Sequence, residues 1–432
     1  MWGHGLASGQ ETTPPKGPAP APSTPTPGGP TPTRPTPEAT PGGFAVPSVQ
    51  TPGVLFPPFV GPDLLTPPVA QGPLVFTPSF TLSEEFNDNI FSDNRNKESD
   101  FITGFSPGLR LDMRQPGFTM GVGYTFTAEI YAKHTELSNA ANRQRLFGNL
   151  SYQPTQRLSF ALDESLSYDR NTNAASVEGI SSGRQAAWTN VLAPSLQYQI
   201  TPRLGSRLYG SWELQRFDAG GQDSNTYRVG TGLDYALTPR LNVNGGYEFA
   251  YLDIQDEPKS YTHTPRVGFT YQITQTLSAG VTGGPSFLVS EGDTSVSPAV
   301  TAIISQTQRW GGISFAYDRA IRAAGGQGGP ADTQSFTGNV AVTTLARGFT
   351  LGFSPRYTIS NSEDVARSRS DIKALTLNLN ANYQIARYVS IVGSYTFFNQ
   401  RTDGGSGSSQ QVDVDQNRVF LGLQFGYPIS FY

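Results

Sequence analysis

Cysteine is absent from the 432 residues, which removes disulfides, thiol catalysis and thiolate metal sites together. Histidine occurs only three times, so the commonest general base and metal ligand has few places to stand. Charged residues make up 15% of the chain, with a formal net charge of −4. A nucleic-acid binder carries a basic stripe instead, and nucleic acid is not expected as a partner. No run of about 18 apolar residues occurs, so no helix is expected to cross a bilayer. Mean hydropathy is negative, which does not argue against a barrel, whose alternating strands average to a polar value. What abounds is glycine (47), proline (34), phenylalanine (26) and tyrosine (19). The length allows one large domain or two to three ordinary ones.

The prolines divide the chain. More than half of them fall in residues 1–72, in runs such as "TPPKGPAPAPSTPTPGGPTPTRPTPEATPGG". Such composition favours polyproline-II and cannot bury enough apolar surface to offset ordering. Residues 1–72 are therefore expected to be a disordered or semi-stiff arm, and residues 73–432 the folded domain. The arm's distal half, "FAVPSVQTPGVLFPPFVGPDLLTPPVAQGPLVF", interleaves Phe, Val and Leu with Pro. It reads either as a sticky linker or as a segment that docks on a partner. The opening "MWGHGLASGQ" has neither the basic nor the apolar region of a secretory signal; an exported chain is then expected to carry its signal outside this sequence.

From about residue 74 the pattern has a period of two. In 204–216, Leu204, Leu208, Trp212 and Leu214 share one face, while Arg207, Tyr209, Ser211, Glu213 and Gln215 share the other. In 118–130, Phe118, Met120, Val122, Tyr124, Phe126 and Ile130 oppose Thr119, Gly121, Gly123, Thr125 and Glu129. Side chains of a pleated strand point alternately to either side, so these are strands with one apolar and one polar face. A motif recurs between them: "LQYQITPRL" at 196–204, "LDYALTPRL" at 233–241, "FTYQITQTL" at 269–277 and "NYQIARYV" at 382–389. Each marks the end of one strand, a tight turn and the start of the next. Polar stretches such as "AGGQDSN" and "NTNAASVEGISSGRQ" form longer loops at the opposite end.

Alternating runs of 10–16 residues exceed propeller strands and suit the roughly 9–11 residues of a tilted membrane strand. A soluble sandwich would need a core for every apolar face, and there are too many. The expected fold is an all-β, transmembrane, antiparallel up-and-down barrel. About eighteen segments can be counted, from 74–91 to 414–431; sixteen is the other even number open, because 277–306 alternates weakly. Both ends then lie on the short-turn side, the periplasm of a bacterial outer membrane. Tyr152, Tyr198, Tyr235, Tyr271 and Tyr383 stand two to four residues before short turns, as an aromatic girdle at the membrane interface would.

Two features fit less easily. Proline recurs inside strands, in "SPGLRL", "APSLQY", "TPRVGF" and "SPAVTA"; the reading is that each begins the intramembrane span, where a lost donor is tolerated. Glu164 falls on the apolar side of "LSFALDESLSY", which calls for a bulge or a place near the rim.

The last strand, "VFLGLQFGYPISFY", sets Phe420, Gly422, Phe425 and Tyr427 in the order aromatic-x-Gly-x-x-aromatic-x-aromatic, before Phe431 and Tyr432. This resembles the terminal signature by which outer-membrane proteins are recognised by barrel assembly machinery. The first hairpin, "FTLSEEFNDNIFSDNRNKESDFITGFSPGLRL" at 80–111, resembles the opening of the type 2 β-barrel porins and related Gram-negative outer-membrane barrels. Some of those lie near exopolysaccharide export systems. The resemblance implies an outer-membrane location, with lipid and lipopolysaccharide as surroundings.

The same hairpin gathers Glu84, Glu85, Asp88, Asp93, Glu98 and Asp100 with Asn87 and Asn89. A solvated loop is the preferred reading over a Ca²⁺ or Mg²⁺ site, since EF-hand spacing is missing. No cofactor or metal is expected, and no enzyme. The barrel histidines, His134 and His263, read as loop residues, and no phosphate loop or ligand cluster appears. The polar face is expected to line a lumen, with Arg110, Arg145, Arg207, Arg228 and Arg266 beside Asp112, Glu129, Asp163, Glu213, Asp234 and Glu248. These either pair across strands or set up a transverse field for solutes. Tyr131, Phe147, Tyr209 and Phe398 also face in, where they would suit stacking on sugars. Three functions follow: a channel for small hydrophilic solutes, a component of exopolysaccharide export or assembly, or a non-conducting barrel that anchors the Pro-rich arm beside a periplasmic partner.

Overall fold

A computed structural model describes residues 72–431, apart from 172–175, 177, 219, 327–328, 363–369 and 405–412. The arm read over 1–72, Gly72 excepted, and Tyr432 lie outside the described residues. Of the two units into which the chain divides, Met1–Val49 and Gln50–Tyr432, the barrel belongs to the second.

The strands follow the alternation. β1 (Leu74–Asn87), β2 (Asp100–Gln115), β3 (Phe118–Tyr131), β4 (Asn139–Thr155), β5 (Leu158–Asn171) and β6 (Arg184–Thr201) come first. Next are β7 (Leu204–Phe217), β8 (Ser224–Thr238), β9 (Leu241–Ile254), β10 (Ser260–Gln272), β11 (Leu277–Ser290) and β12 (Asp293–Gln308). β13 (Gly311–Ala323), β14 (Pro330–Val342), β15 (Phe349–Ser362), β16 (Ser370–Ala386), β17 (Val389–Gly404), β18 (Val414–Gly426) and the short β19 (Ile429–Phe431) complete the chain. Each pairs antiparallel with its neighbours, and β1 pairs with β18 from Ser79↔Gly426 to Asn87↔Arg418, which closes an eighteen-stranded barrel. Closure leaves no free edge where β1 and β18 meet. Thr155, Thr201, Thr238 and Thr274 start the short turns by accepting backbone N–H bonds from two and three residues on. This is the local alternative to a ladder that threonine offers, and it explains the recurring motif.

Several strand ends have identifiable local causes. β1 stops at Asn87, whose side chain accepts the N–H of Asn89 at 3.0 Å and starts the loop. β3 stops at Tyr131, ahead of a single 3₁₀ turn at Thr135–Leu137. The weak stretch 277–306 resolves into β11 and β12 around Glu291–Gly292, both with positive φ (50° and 90°), as a two-residue hairpin turn requires. The last segment breaks at Tyr427–Pro428, and β19 then pairs with Leu74–Phe76.

The prolines do not begin their strands. Pro107 is opposite Phe80 in mid-β2, Pro194 opposite Leu162 in β6, and Pro265 opposite Tyr247 in β10. At each, the ladder on the other side lapses, between Phe105 and Gly108, Leu192 and Ser195, and His263 and Val267. A ring nitrogen cannot donate, so the bond is lost on one side only. Apolar outward residues continue past them toward the loops, with Phe101 and Phe105 exposed beyond Pro107. The prolines therefore mark the middle of the apolar band and not its start. Glu164 sits opposite Leu192 in unbroken register, four residues inside Tyr168, so neither a bulge nor the rim accommodates it. Outward-facing Asn190 on β6 instead gives the Glu164 carboxylate a polar neighbour.

The lumen and its outer constriction as the candidate functional site

The two faces of the wall carry opposite chemistry. Outward stand Leu109, Leu196, Leu208, Val229, Leu233, Val267, Phe269 and Leu421, all solvent-exposed. Tyr152, Tyr198, Tyr235, Tyr271 and Tyr383 also point outward near the turns, each exposed. A second aromatic level, missed in the sequence, lies toward the loops. There Tyr168 packs on Trp188, Trp212 on Tyr227, Tyr227 on Tyr251, and Tyr317 on Phe336. Cross-strand register creates these pairs, and no single strand reveals them. Tyr198 and Trp188 lie ten residues apart on β6, about 33 Å of strand at ~3.3 Å per residue. A tilt of about 40° brings that to about 25 Å, the height of a membrane barrel's apolar band.

Inward, charge is paired. Arg228 bonds Glu213, and Arg266 reaches Glu248 at 3.1 Å, while Tyr209 Oη donates to the same Glu248 at 3.0 Å. Arg110 grips Asp112 with two bonds of 2.8 and 2.9 Å, and Arg207 stands 3.9 Å from Asp234. Glu129 meets Arg143 at 2.8 Å, and Arg145 and Asp163 face inward beside Thr125 and Asn149. The inward rings are already covered. Arg110 lies over Phe147, Arg184 over Tyr131 and Arg207 over Tyr209, while Phe398 packs against Ala374 and Val414. Tyr131, Tyr209 and Phe398 are buried by these contacts.

The acidic hairpin disperses. Glu85 turns inward between Arg418 and Arg143, at 2.8 and 3.0 Å. Glu84 accepts from Thr103, Asp88 from Asn417, and Asp93 from the N–H of Arg95. Glu98 and Asp100 flank His134, their oxygens 2.6 Å from Nε2 and 2.9 Å from Nδ1. His134 occupies the β3–β4 loop. His263, in contrast to the loop position read from sequence, lies within β10 on the outward face, 2.5 Å from Tyr247 Oη. At the C-terminal strand Phe420 faces inward beside Gly422, and Phe425, Tyr427 and Phe431 face outward.

Two chain segments fold into the loop half of the lumen, and neither was legible in the sequence. One is the β5–β6 connection. Ser176, Glu178, Ile180 and Ser181 are fully buried. The Ser181 N–H donates to Gln400 Oε1 and its carbonyl accepts from Gln400 Nε2, both at 2.8 Å, while Thr358 donates to the Glu178 carbonyl at 3.0 Å. These partners lie on β17 and β15, so the connection spans the lumen from β5–β6 to the far wall. Gln215 of β7 binds the Glu178 carboxylate at 3.0 Å. The other segment is the tip of the β13–β14 hairpin. The Gly326 carbonyl accepts from the N–H of Gln222, and Gly325 lies against Ser176 and Ile180. Arg322, 0% exposed, bonds Asp318 at 2.7 Å, and its Nε and Nη1 atoms are buried without hydrogen-bond partners. Outside this constriction a cavity of about 620 Å³ opens among the loops, lined by Phe91, Asp93, Arg170, Arg184, Gln185 and Asp218.

No family profile matches the chain, and no curated protein matches it significantly. Solved structures with a similar chain trace include Pseudomonas aeruginosa OccK2 (OpdF) in complex with glucuronate. It is 12% identical over 83% of this chain and 98% of that one, with a TM-score of 0.42. Pseudomonas aeruginosa OpdO is 11% identical over 82% of this chain and 97% of that one, with a TM-score of 0.41. Acinetobacter baumannii OccAB4 is 11% identical over 83% and 99%, with a TM-score of 0.40.

Proposed function

We propose that the chain is a bacterial outer-membrane channel for small hydrophilic solutes, with its turns toward the periplasm. One observation carries this reading: a closed eighteen-stranded wall that is apolar outside between two aromatic levels and polar inside. Barrels of that strand number enclose an aqueous channel. The buried carboxylate–guanidinium pairs hold the wall, and the inward-folded β5–β6 connection narrows it, so selectivity belongs to the loop half. The surroundings follow from the location: lipid and lipopolysaccharide around the apolar band, and assembly machinery that reads the outward aromatics Phe425, Tyr427 and Phe431. A periplasmic partner for the Pro-rich arm belongs to the same reading.

The filled loop half of the lumen favours a second reading, a closed barrel whose role is to hold the arm. Planar-bilayer recording on the full-length chain decides between them. Stepwise currents support the channel, and their absence at high protein occupancy overturns it in favour of the structural barrel.

A further inference from the structure

Among the described residues, the wall opens between β12 and β13. The β12–β13 ladder runs from Gln308↔Gly311 to Val300↔Arg319 and stops there. Beyond it, Asp293–Ala299 keep register with β11 and Ala320–Ala323 keep register with β14. Pro298 lies at the break, opposite Pro285 in the β11–β12 register. Two prolines face each other without forfeiting bonds only in a non-hydrogen-bonded pair, which turns the Pro298 nitrogen toward β13. The seam opens where one donor is already missing.

Side-chain parity shows where the β13 end has gone. Ile313, Phe315 and Tyr317 point outward, and Ile321 shares their face. Yet Ile321 is buried against Ala250 and Leu252 of β9 and Leu288 of β11, all lumen-facing. The outward face of β13 is thus laid against the inner face of the wall two and four strands away. The hairpin end has left β12, bent inside the barrel and lodged its tip against Ile180.

We infer that the outer end of the β13–β14 hairpin is a gate that moves between this tucked position and a zipped one. In the zipped position it continues the β12 ladder, in register Pro298↔Ile321, and clears the lumen. Two costs oppose each other at this seam. Ladder groups left open within an apolar band are costly, and zipping removes that cost. Tucking instead buries Ile321 and pairs Arg322 with Asp318 inside. Two unpartnered guanidinium atoms on fully buried Arg322 leave the tucked state imperfectly satisfied, as a state meant to be left would be.

This regulation rests on the channel reading, and the test separates the two. The chain has no cysteine, so engineered pairs are clean. Ile180→Cys with Gly325→Cys joins neighbours in the tucked state, where a β-carbon added at Gly325 would lie about 3.1 Å from that of Ile180. Ser295→Cys with Ala324→Cys joins positions opposite each other only in the zipped register. Full-length variants are oxidised in bilayers, scored for disulfide by mass spectrometry and recorded before and after reductant. The gate predicts that both disulfides form, that the first lowers conductance several-fold, that the second raises it, and that reductant reverses both. A Ser295–Ala324 pair that never oxidises while the wild type conducts overturns the gate. A pair that oxidises in a barrel without current in any state overturns the channel and leaves the movement standing.

Discussion

At the scale of single residues, the environment assigns each charged group its task. His134 on the loop side is held by Asp100 and then Glu98, whose hydrogen bonds raise its pKa above the ordinary histidine value. Burial acts to raise the Asp100 carboxyl, but bonds from His134, from the N–H of Lys133 and from its own neighbour Phe101 outweigh it and hold the pKa below the usual value. The signs fix a window. A raised histidine contributes stability in full below its ordinary pKa of about 6.5 and loses it as pH rises through the folded value. A depressed Asp100 contributes above its ordinary pKa of about 4 and loses it as pH falls through the folded value. The clasp between the β1–β2 and β3–β4 loops is therefore strongest between those limits. Melting of the wild type and His134→Gln in detergent, compared across this range, should show a gap that closes toward alkaline pH. A pH-independent gap removes the titration argument. On the outer face, Val267 is 72% exposed and lies between Tyr261 and Tyr271, near the midplane of the band. Val267→Arg should cost about 2–4 kcal/mol of folding stability in lipid vesicles. No loss would mean that this face does not meet hydrocarbon.

At the scale of elements, one buried carboxylate reinforces the ladder that closes the barrel. Glu85 of β1 bonds Arg418 of β18 and Arg143 of β4, so it ties the first strand to the last and to a neighbour three strands on. Removing one member of a buried ion pair leaves the others desolvated and unpaired, which costs about 3–5 kcal/mol. Glu85→Ala should lower the urea midpoint of the barrel in vesicles accordingly, whereas Thr103→Ala, on the exposed Glu84 bond, should change it little. Glu85 also marks where sequence reading stops. Eighteen segments were legible, because lipid outside and water inside impose a period of two on every strand, and the turns at Thr201 and Thr238 carry their own chemistry. The partners of Glu85 were not, because Arg143 and Arg418 stand 58 and 333 residues away, and only closure brings them together. Glu85 read as part of a solvated loop because its acidic neighbours share its sequence but not its face. Ile321 was not legible either. Its parity assigns it to lipid, and only the lapse at Pro298 lets the strand carry it inside.

At the scale of the whole molecule, the apolar band, the two aromatic levels and the polar lumen are consequences of one closed sheet placed between two solvents. An amphipathic aromatic ring prefers the depth at which hydrocarbon gives way to headgroups. Trp188 and Trp212 pack against Tyr168 and Tyr227 at the loop level, while Trp310 is exposed at the β12–β13 turn. The three described tryptophans thus sit at the two edges of the band and none at its middle. In a Trp2→Phe background, which removes the one tryptophan of the arm, fluorescence in vesicles of brominated phosphatidylcholine reports their depth. Bromines placed near the headgroup should quench more strongly than bromines near the chain ends. A soluble barrel in the same vesicles would show no quenching at either position. Stronger quenching at the chain ends would move the aromatic levels to the bilayer centre, where a band of about 25 Å could not be bounded by them.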